Sequence, residues 1–216
     1  MFGTAISFDG TGDYVNVTDR GGLNIAGDYS ISAWVKPTNF PNTFHQVLID
    51  QVTLDYGVNV INTGKINCQF LSRTPNGVNS DTSILLDEWS HIVCTYDGST
   101  GRVYVNGVLD AEASVTGSGA GTVSEIVIGY DPVNSGRDYT GTIDEVKIVN
   151  RSLSAAEIMS DYKKGAQALF GTSDGELPLN DPYDTGVRWQ PGRFVENLSA
   201  ETAGDGGNVS LYLRMD

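Results

Sequence analysis

The ten residues Tyr130-Asp131-Pro132-Val133-Asn134-Ser135-Gly136-Arg137-Asp138-Tyr139 gather two tyrosines, two aspartates, an asparagine and an arginine. Aromatic rings offer stacking area with a polar edge, and Asp, Asn and Arg add directional hydrogen bonds. Tyr130, Asp131, Asn134, Arg137 and Tyr139 therefore form the first candidate set for binding a polar ligand. The same residues would also suit a solvated hairpin loop. Phe40 and Phe44, in Asn39-Phe40-Pro41-Asn42-Thr43-Phe44, are a second candidate, with buried staples as the alternative.

Catalytic constellations are scarce. The chain has two histidines, His45 and His91, so a triad or a histidine metal site would have to use one of them. His91 lies in a predicted strand, where we expect it to pack. There is no Gly-x-Ser-x-Gly elbow and no His-Glu-x-x-His pair, and Gly117-Ser118-Gly119-Ala120-Gly121 lacks the lysine of a phosphate loop.

The elements that would position these side chains are strands. Short runs of alternating apolar and polar residues, separated by Gly, Asn and Asp, recur over the first 150 positions. They predict strands at 5–8, 14–17, 30–36, 46–50, 56–61, 65–71, 90–96, 102–105, 108–113, 125–128 and 141–149, with Pro75-Asn76-Gly77 and Asp97-Gly98 read as turns. So many strands call for two packed antiparallel sheets, each hiding one face. Asn106-Gly107 between Val103-Tyr104-Val105 and Val108-Leu109 marks a two-residue hairpin. Ser154-Ala155-Ala156-Glu157 reads as a capping box opening one short helix over 154–164, with Gly165 as its stop.

Beyond Gly165 the texture changes. Pro178, Pro182 and Pro191 punctuate a Gly- and Asp-rich run that ends in Asn208-Val209-Ser210-Leu211-Tyr212-Leu213-Arg214-Met215. Strict alternation there predicts a strand that either completes a domain at 1–165 or docks on a neighbouring copy.

Charge excludes one class of partner. Thirteen Lys and Arg against 27 Asp and Glu leave a formal charge of −14, the wrong sign for a phosphate backbone or an anionic membrane. No stretch approaches the roughly 20 apolar residues of a membrane span. The Met1 end has no basic segment followed by an apolar run, which leads us to expect no signal peptide in this chain. Cys68 and Cys94 lie in predicted strands; they can bridge if those strands are neighbours, and are otherwise two small buried hydrophobes.

Seven motifs in order carry a resemblance: Ala5-Ile6-Ser7-Phe8-Asp9-Gly10-Thr11-Gly12-Asp13-Tyr14-Val15, Tyr29-Ser30-Ile31-Ser32-Ala33-Trp34-Val35-Lys36-Pro37, Glu88-Trp89-Ser90-His91-Ile92-Val93, Thr95-Tyr96-Asp97-Gly98, the Tyr104–Leu109 hairpin, Gly141-Thr142-Ile143-Asp144-Glu145-Val146 and Leu153-Ser154-Ala155-Ala156-Glu157-Ile158. Residues 3–164 thereby resemble the laminin-G-like jelly rolls of the concanavalin A-like lectin and glucanase superfamily. The resemblance implies an all-β, two-sheet antiparallel sandwich with its first strand beside the strand at 142–149. It also implies a structural calcium ion, which needs about six to eight oxygen ligands. Asp9, Asp13 and Asp144 stand at the matching positions, with backbone oxygens near Gly27 and Asp28 as additions.

Glucanases of the superfamily use two glutamates on one strand face. The nearest match here, Thr142-Ile143-Asp144-Glu145-Val146-Lys147, lacks both glutamates of that pattern, so the resemblance implies a non-enzyme. A jelly roll of this kind implies an extracellular or surface recognition module for a glycan or other cell-surface ligand. The alternative is a structural subunit of a surface filament or of a virus or phage particle, forming a homo-oligomer through its C-terminal strand.

Overall fold

Apolar side chains at every second position can be buried together only if two sheets face each other, and the chain folds that way. The computed structural model describes residues 5–18, 25, 27–40, 45–51, 56–70, 73–117, 125–131, 134, 136–170 and 210–213. Its elements are β1 (Ile6–Asp9), β2 (Val15–Thr18), β3 (Tyr29–Pro37), β4 (His45–Gln51), β5 (Gly57–Ile61), β6 (Lys65–Gln69), β7 (Gly77–Ser83), β8 (Ser90–Tyr96), β9 (Thr100–Val105), β10 (Val108–Ser114), β11 (Glu125–Ile128), β12 (Thr140–Val149), α1 (Ala155–Phe170) and β13 (Ser210–Leu213). One sheet runs β1-β12-β3-β8-β9-β10, with β13 also on β12, and the other runs β2-β11-β4-β5-β6-β7. The expected jelly-roll sandwich is present, with β1 beside β12 as the resemblance implied.

Ile31, Ala33 and Val35 of β3 and Ile143, Val146 and Ile148 of β12 turn inward to meet Val58, Val60, Ile66 and Ile126 of the other sheet. Each such large aliphatic side chain contributes on the order of 1.5–3 kcal/mol by leaving water. A disulfide between Cys68 on β6 and Cys94 on β8 ties the two sheets through the core, with Cα atoms 5.6 Å apart. The Asn106-Gly107 hairpin has φ of 51° and 81°, as a two-residue turn of this hand requires. Its Asn106 side chain accepts the His91 N–H at 2.9 Å, while the Asn106 N–H donates to the His91 carbonyl at 2.8 Å.

Two elements go beyond the sequence reading. Pro75-Asn76-Gly77 lies at the expected turn, and Gly77, paired with Gln69, opens a strand that was not predicted, β7, an edge strand in which Val78 and Ser80 turn inward while Asn79 and the residues from Asp81 to Ser83 are exposed. And α1 continues through Gly165 to Phe170. Its start is as read: the Ser154 N–H donates to Glu157 Oε2 at 2.8 Å and the Glu157 N–H donates to Ser154 Oγ at 3.3 Å, a reciprocal cap that Arg151 reinforces at 2.8 Å from Glu157 Oε1.

The helix covers the outer face of the seven-stranded sheet. Leu153 and Ile158 pack on Val93 and Tyr104 there, and Trp34 and His91 turn away from the central core to meet Tyr162. β13 lies antiparallel on β12 of its own chain, with Val146 opposite Leu213 and Val149 opposite Ser210. The prolines at 178, 182 and 191, together with Val209, Met215 and Phe44, lie outside the described residues. None of the described helices is long and apolar enough to cross a membrane.

Candidate ligand-binding site

The β2–β11 ladder ends at the pair Val15 and Ile128. Just beyond it the chain must turn, because Phe8 fills the space beside Gly129: a Cβ at that position would overlap the ring, and φ there is +84°. The loop that follows is closed at its base by the Tyr139 N–H donating to the Gly129 carbonyl at 2.8 Å. Two tyrosines leave the ladder side by side. Tyr14 is 56% exposed and its ring lies 5.3 Å from that of Tyr130, tilted by 31°.

Asp131 holds the loop from within. At 4% exposure, it accepts the Asn134 N–H at 2.9 Å, the Asn134 side-chain amide at 3.0 Å and Arg137 Nη1 at 3.3 Å. The Arg137 carbonyl in turn accepts the Val47 N–H at 2.9 Å, beside the irregularity of β4 between Val47 and Ile49. Asp131, Asn134 and Arg137 thus act first on one another, next to Tyr130.

Tyr139 is corrected. It is 1% exposed, packs edge-on against Phe8 at 6.1 Å, and burial pushes its phenol pKa up, so it is a core residue and offers no surface for stacking. Phe40 likewise packs against the core.

The turn before Tyr14 completes the site. Asp9 Oδ1 accepts the Thr11 N–H at 2.7 Å, the Asp9 N–H donates to Asp13 Oδ2 at 3.0 Å, and the Gly12 N–H donates to Asp138 Oδ2 at 3.1 Å. That last bond locks the 9–13 turn onto the 130–139 loop. Tyr14 and Asp138 were not singled out from the sequence as ligand contacts. The usable signal was Tyr14's position immediately after a Gly-x-Gly-Asp turn, where strand pairing had not begun.

The calcium set Asp9, Asp13 and Asp144 does not converge. Thr140 is the residue of β12 opposite Asp9, and Asp144 lies four residues on, about 13 Å along the strand. Asp144 is 4% exposed and opposite Trp34, whose ring stacks on Tyr162 of α1, and its Oδ1 accepts the Glu145 N–H at 2.8 Å. Gly27 and Asp28 precede β3 at the far end of the sheet, since Tyr29 begins β3 and its Pro37 end pairs beside Asp9's partners. Among the described residues no group of three His, Cys, Asp or Glu could hold a metal. Asp9 and Asp13 instead use carboxylate oxygens to cap the turn.

His91 is a packing residue, with its ring 5.2 Å from Trp34 and 6.2 Å from Tyr162. Burial lowers its pKa to about 4, Asp161 opposing and Lys147 assisting, so it is neutral at pH 7. The outer face of the six-stranded sheet carries Asn59, Asn67 and Asn79 in one row, but Asn59 is buried and closed to a ligand.

The Laminin_G_3 profile, described as concanavalin A-like lectin/glucanases superfamily, matches residues 9–159. The chain belongs to that superfamily. No curated protein sequence matches it. Solved structures of the same jelly roll include the binding domain of Paraclostridial Mosquitocidal Protein 1 (TM-score 0.62, 15% identity, covering 74% of this chain and 43% of that one). A putative carbohydrate binding protein from Bacteroides ovatus aligns with TM-score 0.59 and 14% identity over 73% of this chain and 46% of that one. Domain 4 of the extracellular arabinanase AbnA from Geobacillus stearothermophilus, in complex with arabinotriose, gives 0.52 and 17% over 73% and 86%. The chain spans less than half the length of the first two.

Within this concanavalin A-like chain the strand that would carry a glucanase pair is β12. A retaining mechanism needs two carboxyl groups about 5–5.5 Å apart in an open cleft. Thr142 brings no carboxylate, and Asp144 is covered.

Proposed function

We propose that the chain is a non-catalytic, extracellular recognition module that binds a glycan of a cell surface or matrix at the Tyr14–Tyr130 pair. The carrying observation is the pair itself: adjacent rings, one more than half exposed, with Tyr130 beside an Asp131 that already holds Asn134. Stacking platforms of this kind hold a pyranose by its apolar face, and the exposed side chains of Asp13 and Asn134 can accept from or donate to hydroxyls. Pre-formed polar groups reduce the ordering cost of binding. The disulfide between the sheets supports an oxidising, extracytoplasmic setting, and the likeness to binding domains supports recognition over catalysis.

The test is a glycan array followed by calorimetry with Tyr14→Ala and Tyr130→Ala. Loss of one stacking ring, worth on the order of 0.5–1.5 kcal/mol, weakens binding by about twofold to twelvefold with the melting temperature unchanged. Absence of binding to every glycan on the array rejects the proposal.

A further inference from the structure

Among the described residues, charge around the ring pair is one-sided. Asp13 adjoins Tyr14 in sequence, and Asp9 and Asp138 are tied to the same turn by the Asp9 N–H to Asp13 bond and the Gly12 N–H to Asp138 bond. The loop's own cation, Arg137, is engaged by Asp131 at 3.3 Å, so its charge is largely spent inside the loop. The chain as a whole carries −14. A ligand stacked on Tyr14 therefore sits in a negative field that the bound Arg137 does not offset. Resting on the proposed glycan reading, we infer that this site ranks glycans by charge, cationic amino sugars above neutral sugars and neutral above sulfated or sialylated ones.

Carboxylates serve a sugar site well when the sugar is neutral, since an ionised Asp accepts hydroxyl hydrogens at both oxygens. Against a sulfate or a sialic carboxylate the same groups repel. Two such repulsions at a range of several ångströms, in the mixed dielectric of a surface, separate neighbouring classes by about tenfold at low salt. The separation must shrink as salt rises, because the Debye length falls from about 30 Å at 0.01 M to about 8 Å at 0.15 M.

The experiment is an array carrying neutral oligosaccharides beside their de-N-acetylated, sulfated and sialylated counterparts, read at 0.01 M and 0.15 M salt. The expected result is the order cationic, neutral, anionic, with the spread compressed at higher salt and reduced in Asp13→Asn and in the double variant Asp13→Asn/Asp138→Asn. Asparagine keeps an oxygen to accept the backbone N–H groups, and a melting curve equal to the parent's confirms that the turn survives; Asp13→Asn alone serves if the double variant does not fold. Binding that favours sulfated or sialylated glycans, or ranks all classes equally, overturns the charge ranking and leaves the glycan reading standing. An order that persists unchanged in folded Asp13→Asn and in the double variant also overturns it, because the carboxylates are then not its source. No binding to any glycan overturns both.

Discussion

Gly165 lies directly against the indole of Trp34: a Cβ on that glycine would overlap Nε1 and two ring carbons. Trp34 is in turn stacked on Tyr162, one helical turn earlier, at 5.7 Å and 19°. Helix and sheet approach this closely only because position 165 has no side chain.

Substituting Gly165 tests which effect dominates. Alanine in a helix interior gains about 1 kcal/mol of propensity over glycine. Forcing a methyl into the Trp34 ring costs about 1–3 kcal/mol, since neither the helix nor the indole has room to move. Gly165→Ala is therefore expected to lower stability by up to about 2 kcal/mol in urea denaturation. A stabilised variant would mean that Trp34 swings away freely.

The same contact explains what the sequence could and could not reveal. Alternation exposed most strands because one face of each is buried; β7 escaped because its inward positions are Val78 and Ser80, whose hydroxyl accepts the Ile66 N–H at 2.9 Å in place of apolar packing. Gly165 looked like a helix stop, for a one-dimensional pattern holds no information about Trp34, 131 positions earlier. Asp131, Asn134 and Arg137 were legible as a polar group, but which of them face a ligand depends on Asp131 being buried. Tyr139 and Tyr14 exchanged roles for a related reason: one follows a loop that returns to the core at Phe8, and the other precedes a strand whose pairing begins one residue later.

His91 gives a pH prediction with a definite sign. Its folded pKa of about 4 lies below its unfolded value of 6.5, so the unfolded chain binds the extra proton between these values and stability falls as pH drops from 6.5 to 4. The full difference is about 3 kcal/mol. Asp161 and Lys147, paired at 2.9 Å beside it, face the ring from α1 and β12. Urea midpoints measured from pH 4 to 7 should show this slope in the parent chain, and His91→Phe, which keeps a ring against Trp34, should flatten it. An equal slope in both chains would assign the pH dependence to carboxylates elsewhere.

Removing the disulfide has a calculable cost. Cys68 and Cys94 close a loop of 26 residues, for which chain entropy alone gives about 3 kcal/mol. Both sulfurs are in the core, so the native chain should resist reductant and label no thiols until unfolded. The double substitution to serine is expected to lose at least that amount, with two hydroxyls left in an apolar environment. Thiol labelling of the unfolded but unreduced protein should find none; two free thiols there would show that the sheets are held by packing alone.

The terminal strand decides between a self-contained domain and an assembling one. Val149 and Ser210 are register partners on β12 and β13 of a single chain. The 39 residues at 171–209 that join α1 to β13 could span about 130 Å if extended, so chain length does not by itself keep β13 at home. Tethering does favour it: an attached strand meets its own sheet at an effective concentration near the millimolar range, well above ordinary protein concentrations. The double variant Val149→Cys with Ser210→Cys should therefore oxidise to a species that runs as a monomer on non-reducing gels, at low and high protein concentration alike. Ladders of disulfide-linked oligomers would instead assign β13 to a neighbouring copy, and with it a structural role for the chain.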